Sequence, residues 1–389
     1  MKRLSSGFSI RSSLGGTLLG MRKALFAVAS LLAAGPLAAQ EYKIAVVGLV
    51  HSHVWGHLAS MAKGETPAKL VGIAEPNQEL VAEAKKYTGD AVPFFDNYTK
   101  MLDEVKPDIV WAFIENNRHL EIAQACAPRK IQVMFEKPLA STYKDAQAIA
   151  RLAAAHGIRV MTNYQMAWWP SNYAAKAKAD SGAIGKVWRL HGVVGHSGPS
   201  GPGWETPRNK YFRAWLTDPV QNGGGALIDF GCYNALWSLW YLGKPQTVFA
   251  QTNQLRPELY PKVDDNAVLV LHYPNGSGIF EGSWALPRGF QDLEVFGLGG
   301  SLYVTGEKVE MRKGNQTEEV ALPALDGART EPVAYMVDRL KNNQGLDGLV
   351  ALPINLDVVE ILEAARQSIA TGRAVKLPLA VQQAVAKKK

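Results

Sequence analysis

Cysteine is nearly absent: the 389 residues contain two, Cys126 and Cys232. Two thiols do not make a disulfide framework, so the fold must rest on its core, and both are expected as buried thiols. A membrane-spanning run is also missing. The apolar stretch ALFAVASLLAA at 24–34 is too short to cross a hydrocarbon layer of about 30 Å comfortably. A basic surface is lacking as well, although the formal charge is +7. Lys2, Arg3, Arg11, Arg22 and Lys23 sit in the first forty residues with no acid among them, and Lys387, Lys388 and Lys389 end the chain. Without these the charge is close to balanced, which excludes a nucleic-acid-binding or anionic-membrane-binding face. No repeats and no internal low-complexity tract occur.

What is present begins with a leader. MRK at 21–23, the apolar run after it and the small residues of GPLAAQ read as an export signal cleaved near Ala39, with 1–20 as an extension. There is no twin-arginine pair. The chain is expected in the periplasm or outside the cell, with no membrane contact after signal cleavage. Residues 41–165 alternate apolar strands (YKIAVVG, KLVGIAE, DIVWAFI, IQVMF, IRVMTNY) with helical patterns. This spacing predicts an α/β, doubly wound parallel sheet of the Rossmann type, covered on both faces. Residues 166–380 change texture to an α+β domain with an open, largely antiparallel sheet, and 381–389 form a basic tail. A hairpin is expected in NAVLVLHYPNGSGIFEGSWAL, with Asn275 and Gly276 as left-handed turn residues. Residues 197–210 read as a loop rich in Gly, Pro and charge.

Three segments carry candidate chemistry. The first is VVGLVHSHVWGHL, Val46 to Leu58, placed where a strand gives way to a helix. A dinucleotide loop needs small residues there so that backbone amides and the helix N-terminus can approach a pyrophosphate. Gly48 holds the first glycine position, but Val50 and His53 hold the second and third. Gly48, Val50, His51, Ser52 and His53 are the candidate phosphate contacts. Glu75 closes the second strand at a position suited to accept ribose hydroxyls, which favours NAD over NADP. The histidines also allow a weaker reading as a metal set, His51, His53 and His57, although no metal is the main expectation.

The second segment is MFEKPLA, residues 134–140. A Glu-Lys-Pro at the end of a parallel strand puts Lys137 at the carboxyl edge, where ligands bind, and Glu136 beside it. The third is GGGALIDFGCYNALW, residues 223–237. Asp229 and Tyr233 lie i, i+4, so a helix presents an acid and a phenol on one face.

Together these pieces resemble the Gfo/Idh/MocA oxidoreductases. IENNRHLEIAQACAPRKIQVMFEKPLA is similar to that family's fourth-strand segment, with Asn116 and His119 at its Asn and His. SGAIGKVWRLHG resembles its crossover between domains. GGGALIDFGCYN resembles its glycine-rich motif, with Tyr233 at a histidine position, and ILEAARQSIATGRAVKLPL its closing helix and strand. The resemblance covers about 42–380. It implies NAD or NADP in the N-terminal domain, a sugar-like polyol on the C-terminal sheet, and pairing into a homo-oligomer. It assigns Lys137 as catalytic lysine, Asp229 as its partner and Tyr233 as general acid/base, with Asn116, His119 and Glu136 toward the cofactor. The departures are the opening loop, where Gly56 stands at a histidine position, and Ile114-Glu115-Asn116 in place of Thr-Pro-Asn.

The expected function is an NAD(P)-dependent oxidation of a sugar or sugar derivative, with the cofactor retained and cycled within one turnover where the reaction is redox-neutral. Glycoside cleavage, epimerisation and elimination through a transient ketone are variants of that chemistry. A non-catalytic sugar-binding protein is an alternative, with Trp168, Trp169, Trp204, Trp237, Trp240 and Trp284 as stacking faces. A metal-dependent enzyme without nicotinamide is another.

Overall fold

The computed structural model describes residues 41–380, Asp326 excepted. The expected export leader and basic tail lie outside the described residues.

Six short apolar runs form the first sheet: β1 (Tyr42–Val47), β2 (Ala68–Ala74), β3 (Phe94–Phe95), β4 (Ile109–Ala112), β5 (Gln132–Glu136) and β6 (Val160–Asn163). All pairs are parallel, in the order β3-β2-β1-β4-β5-β6. The intervening helices are α1 (Val54–Ala62), α2 (Gln78–Thr88), α3 (Tyr98–Val105), α4 (His119–Cys126) and α5 (Tyr143–His156). Ile44, Val46, Ile109, Val110, Trp111 and Val133 are wholly buried because helices cover both faces of the sheet. The strand order changes direction between β1 and β4, so their carboxyl ends open the crevice of a doubly wound fold.

Helices α6 (Pro170–Asp180), α7 (Pro207–Leu216) and α8 (Ala226–Leu242) accompany the second sheet, with α9 (Pro332–Lys341) and α10 (Leu352–Thr371) after it. Its strands are β7 (Val187–Gly195), β8 (Thr247–Asn253), β9 (Asn266–Tyr273), β10 (Gly276–Ser283), β11 (Phe290–Gly297), β12 (Gly300–Thr305), β13 (Lys308–Lys313), β14 (Gln316–Glu319) and β15 (Val375–Lys376). They run in the order β14-β13-β12-β11-β7-β10-β9-β8-β15, antiparallel except for the β7–β10 pair. Helix α8 is apolar on all sides and buried from Ala226 to Leu239, as a helix sandwiched between layers must be. It packs against β7 and β10, while α10 packs on both α8 and α5 and ties the two sheets together. Among the described residues no helix is long and apolar enough to cross a membrane. Cys126 and Cys232 are both buried free thiols, and burial pushes each up to about 12.

Two local expectations are corrected. The β9–β10 hairpin forms, but Tyr273 pairs with Gly276, so the two loop residues are Pro274 and Asn275. Neither Asn275 nor Gly276 takes a left-handed conformation, consistent with proline fixing a negative φ at the turn. Gly276 has a different reason: a Cβ there would lie 2.1 Å from the Trp188 carbonyl oxygen on β7. The second correction is α7, which occupies part of the segment read as loop. Pro207 sits in its first turn, where its missing N–H costs nothing. Phe212, Trp215 and Leu216 give it one buried side.

Candidate active site

β5 carries Glu136 to the carboxyl edge of the parallel sheet, and Lys137 follows directly. α8 begins at a glycine, Gly225, because a Cβ there would fall 1.8 Å from the Asp264 carbonyl oxygen. That close approach lets Asp264 accept from the N–H groups of Gly225 and Leu227 and so caps the helix. Asp229 then sits in the first turn and Tyr233 one turn on.

The structure brings Lys137, Asp229 and Tyr233 together. The Lys137 ammonium pairs with Asp229 Oδ1 and also donates to the Asp229 carbonyl at 3.3 Å. Asp229 Oδ2 accepts from the Trp284 indole N–H at 2.9 Å. The Lys137 Nζ stands 5.4 Å from the centre of the Tyr233 ring. All three side chains are buried. Burial opposes the charge on Lys137, but Asp229 outweighs it and holds the ammonium above the ordinary lysine value. Burial likewise opposes the Asp229 carboxylate, and Lys137 outweighs it and lowers its pKa. Burial raises Tyr233, so its phenol is protonated at neutral pH, while the nearby ammonium limits the rise. The site therefore offers a fixed cation, a carboxylate that anchors it, and a phenol able to give or take a proton. A cleft of about 360 Å³ lies beside it, lined by Gly195, His196, Phe230, Arg288, Gln291 and Asp292 among others. This volume lies within the range of small-molecule sites.

The opening loop is arranged differently from its residues' expected roles. Gly48 turns the chain with φ +79°, and a Cβ there would lie 2.2 Å from Ile114 Cγ2. Glu75 is buried at the end of β2 and accepts from the N–H groups of Leu49 (2.7 Å) and Asn77 (2.8 Å). His51 is fully buried, with its ring 4.6 Å from that of Phe212 and 5.5 Å from that of Trp215. Trp215 donates its indole N–H to the Val50 carbonyl at 3.3 Å. Helix α7 therefore lies on the loop, and Lys210, Tyr211 and Arg208 tether it to Glu79 and Glu83 of α2. His53 Nδ1 meets Glu136 Oε2 at 2.9 Å. Ser52 is only half-buried.

Three other sequence candidates lie apart. His57 packs its ring 4.3 Å from that of Trp111, away from His51 and His53 as a ligand set; Glu136 joins those two instead. His119 stacks on Phe135 and bonds through Nδ1 to the Leu139 carbonyl, so it braces the Glu-Lys-Pro turn. Asn116 donates to the carbonyl and the side chain of Asn222, at the join between the domains. Of the tryptophans, Trp284 serves Asp229, and Trp237 is buried and bonded to Asn172. Sequence reasoning missed the His53–Glu136 pair, the place of His196 and the α7 cover. His53 and Glu136 are 83 residues apart, His196 meets the Phe230 ring from another element, and the cover depends on how α7 docks, so no local spacing signals them.

The family model for the Gfo/Idh/MocA oxidoreductase family with an NAD-binding Rossmann fold matches residues 42–164, and that for the Gfo/Idh/MocA C-terminal domain matches 173–303. The chain belongs to the Gfo/Idh/MocA family. Among this family's members, myo-inositol 2-dehydrogenase of Thermotoga maritima is 23% identical over 330 residues, 80% of this chain and 91% of the relative. Levoglucosan dehydrogenase of Pseudarthrobacter phenanthrenivorans is 27% identical over 53% of this chain and 56% of its own. The solved aldose–aldose oxidoreductase of Caulobacter crescentus, at 18% identity, has the same fold, with a TM-score of 0.73 over 87% of this chain and all of that one.

The family's cofactor is NAD or NADP, and the residues present fit it unevenly. Glu75 fits the ribose end: each oxygen accepts one N–H and keeps a further lone pair. The pyrophosphate end is covered. His51 N–H donates to the Phe113 carbonyl, His53 N–H to His51 Nδ1, and Trp215 and Phe212 lie on the loop. With α7 in this position, two of the loop's backbone N–H groups have internal partners and two aromatic side chains lie on it.

Proposed function

We propose that this chain acts on a hydroxyl of a sugar or sugar-like polyol, and that Lys137, Asp229 and Tyr233 carry the proton chemistry. The observation that carries this reading is the buried Lys137–Asp229–Trp284 array beneath the Tyr233 ring, at the carboxyl edge of the parallel sheet. It is supported by relatives named for dehydrogenation of inositol and levoglucosan. The substrate sits in the cleft beside α8, where Phe230 offers an apolar face and His196, Arg288 and Asp292 offer polar ones. Lys137 places its charge on the substrate oxygen. Tyr233, a phenol at neutral pH, gives its proton to the carbonyl oxygen when the carbonyl is reduced, and as the phenolate takes the hydroxyl proton when the carbon is oxidised. Asp229 stays ionised and keeps the ammonium aimed, and Trp284 holds Asp229. NAD, when bound through Glu75 and the 48–53 loop, supplies the two-electron acceptor.

We also propose that the substrate is oxidised to a ketone and then reduced again, or undergoes elimination, before release. A ketone acidifies the neighbouring C–H, so an epimerase, lyase or glycoside-cleaving outcome is open to the same residues. The leader at 21–40 supports an exported protein, where free dinucleotide is not regenerated, and a redox-neutral cycle suits that setting. The test is conversion of a panel of sugars followed by NMR with NAD present, in wild type and Tyr233→Phe. Substrate loss without accumulating NADH in wild type, and none in the variant, is expected. Net NADH production in step with product contradicts the redox-neutral part. Binding of sugar with no conversion in any redox state contradicts the enzyme reading. N-terminal sequencing of the exported chain checks the leader, with cleavage expected near Ala39.

A further inference from the structure

We infer that His51, His53 and Glu136 form a binding site for a divalent first-row transition ion of the zinc class in the dinucleotide-free, α7-closed form. One ligand atom from each lies within 4.8 Å of the others. Two imidazoles and a carboxylate are a zinc donor set that leaves a coordination position open. His53 stands at the loop's third glycine position with His51 two residues before it, and β5 supplies the carboxylate, 83 residues from His53.

Independent features point to a ligand here. His51 is fully buried, and its Nε2 has no hydrogen-bond partner among the described residues. A buried nitrogen left unpaired is unfavourable, and a bound ion would satisfy it. Ligation through Nε2 places the ring proton on Nδ1, so the long 3.3 Å contact from His53 N–H is given up. The surroundings resemble the support of a metal centre. Asn163 donates to Glu136 Oε1 at 2.8 Å, which leaves Oε2 turned toward His53. Phe212 and Trp215 exclude water from the His51 side. His57 packs on Trp111 and is not part of the set. The same loop must receive a pyrophosphate, so ion and dinucleotide exclude one another. That last clause rests on the redox reading above; the ion site does not.

The test uses the mature chain stripped with a chelator. Zn²⁺ is titrated against a chromophoric chelator, and Co²⁺ uptake is followed by visible and X-ray absorption. One ion per chain is expected, with two imidazoles in the cobalt shell. Stoichiometric binding should be lost in His51→Ala and in His53→Ala, kept in His57→Ala, and weakened by ~10–100-fold in Asn163→Ala. No uptake by the wild type, a cobalt shell without imidazole, or unchanged binding in both histidine variants overturns the proposal. The cobalt shell is read on wild type and so stands even if a variant does not fold. NAD is titrated in parallel. A weaker NAD affinity with Zn²⁺ present is expected, and simultaneous binding of both overturns the exclusion. A metal-free chain that never takes NAD defeats the redox reading and leaves the ion site standing.

Discussion

Lys137 and Asp229, 92 residues apart in sequence, form a buried ion pair that joins the edge of one sheet to the first turn of the helix beneath the other. Neither charge has water to fall back on. Removing one partner strands the other, at a cost of about 3–5 kcal/mol, whereas replacing both by apolar groups of similar volume is far less costly. Urea unfolding should therefore show Asp229→Ala and Lys137→Met each strongly destabilised. The double variant Lys137→Met/Asp229→Leu should lie closer to wild type than the sum of the singles. Additive losses contradict the pairing.

Tyr233 is held protonated by burial and sits over the Lys137 ammonium. Tyr233→Phe keeps the ring and removes only the hydroxyl. Turnover is expected to fall by about 10²-fold or more, with the melting temperature near that of wild type. A fall in melting temperature that accounts for the lost activity contradicts the acid/base role.

His119 gives a pH signature. Burial holds the ring neutral, with its pKa lowered to about 4, although the Leu139 carbonyl partly opposes the shift. The unfolded chain titrates near ~6.5, so between these values the unfolded state binds more protons. Stability contributed by this group is full above pH ~6.5 and falls as pH drops toward ~4, by on the order of 3 kcal/mol. In His119→Gln the urea midpoint should lose this part of its slope between pH 7 and 5. An unchanged slope contradicts the assignment.

Phe212 seals the loop against His51. If α7 must lift before a dinucleotide docks, the apparent affinity for NAD is reduced by the fraction of open molecules. Phe212→Ala weakens the closed form, and the NAD dissociation constant, read by tryptophan fluorescence, should fall by about tenfold or more, equivalent to ~1.4 kcal/mol. Weaker binding in the variant contradicts the covering role.

The parallel sheet was legible because strands buried on both faces must be largely apolar, and β1, β2, β4, β5 and β6 are, with their polar residues toward the strand ends. The triad of Lys137, Asp229 and Tyr233 was legible because each lies beside a local signal: a strand end, a glycine lead-in and an i, i+4 spacing. The missed features are tertiary. Helix α7 lies in a stretch dense with Gly, Pro and charge, and its apolar residues Phe212, Trp215 and Leu216 gain meaning only against the first loop. Glu136 was read with the cofactor rather than with His53 because nothing in 83 intervening residues ties them. The Asn275-Gly276 pair read as a left-handed turn, but Pro274 took the turn, and Gly276 answers to the Trp188 carbonyl of a neighbouring strand.

The most direct test is NAD titration into the metal-free chain from residue 41 onward, followed by sugar conversion, in wild type and in Phe212→Ala. The account expects one NAD per chain in both, tighter in the variant, and conversion of at least one sugar that Tyr233→Phe abolishes. If neither form binds NAD or NADP and neither converts a sugar, the central claim is contradicted, and Lys137, Asp229 and Tyr233 serve a fold that no longer performs this chemistry.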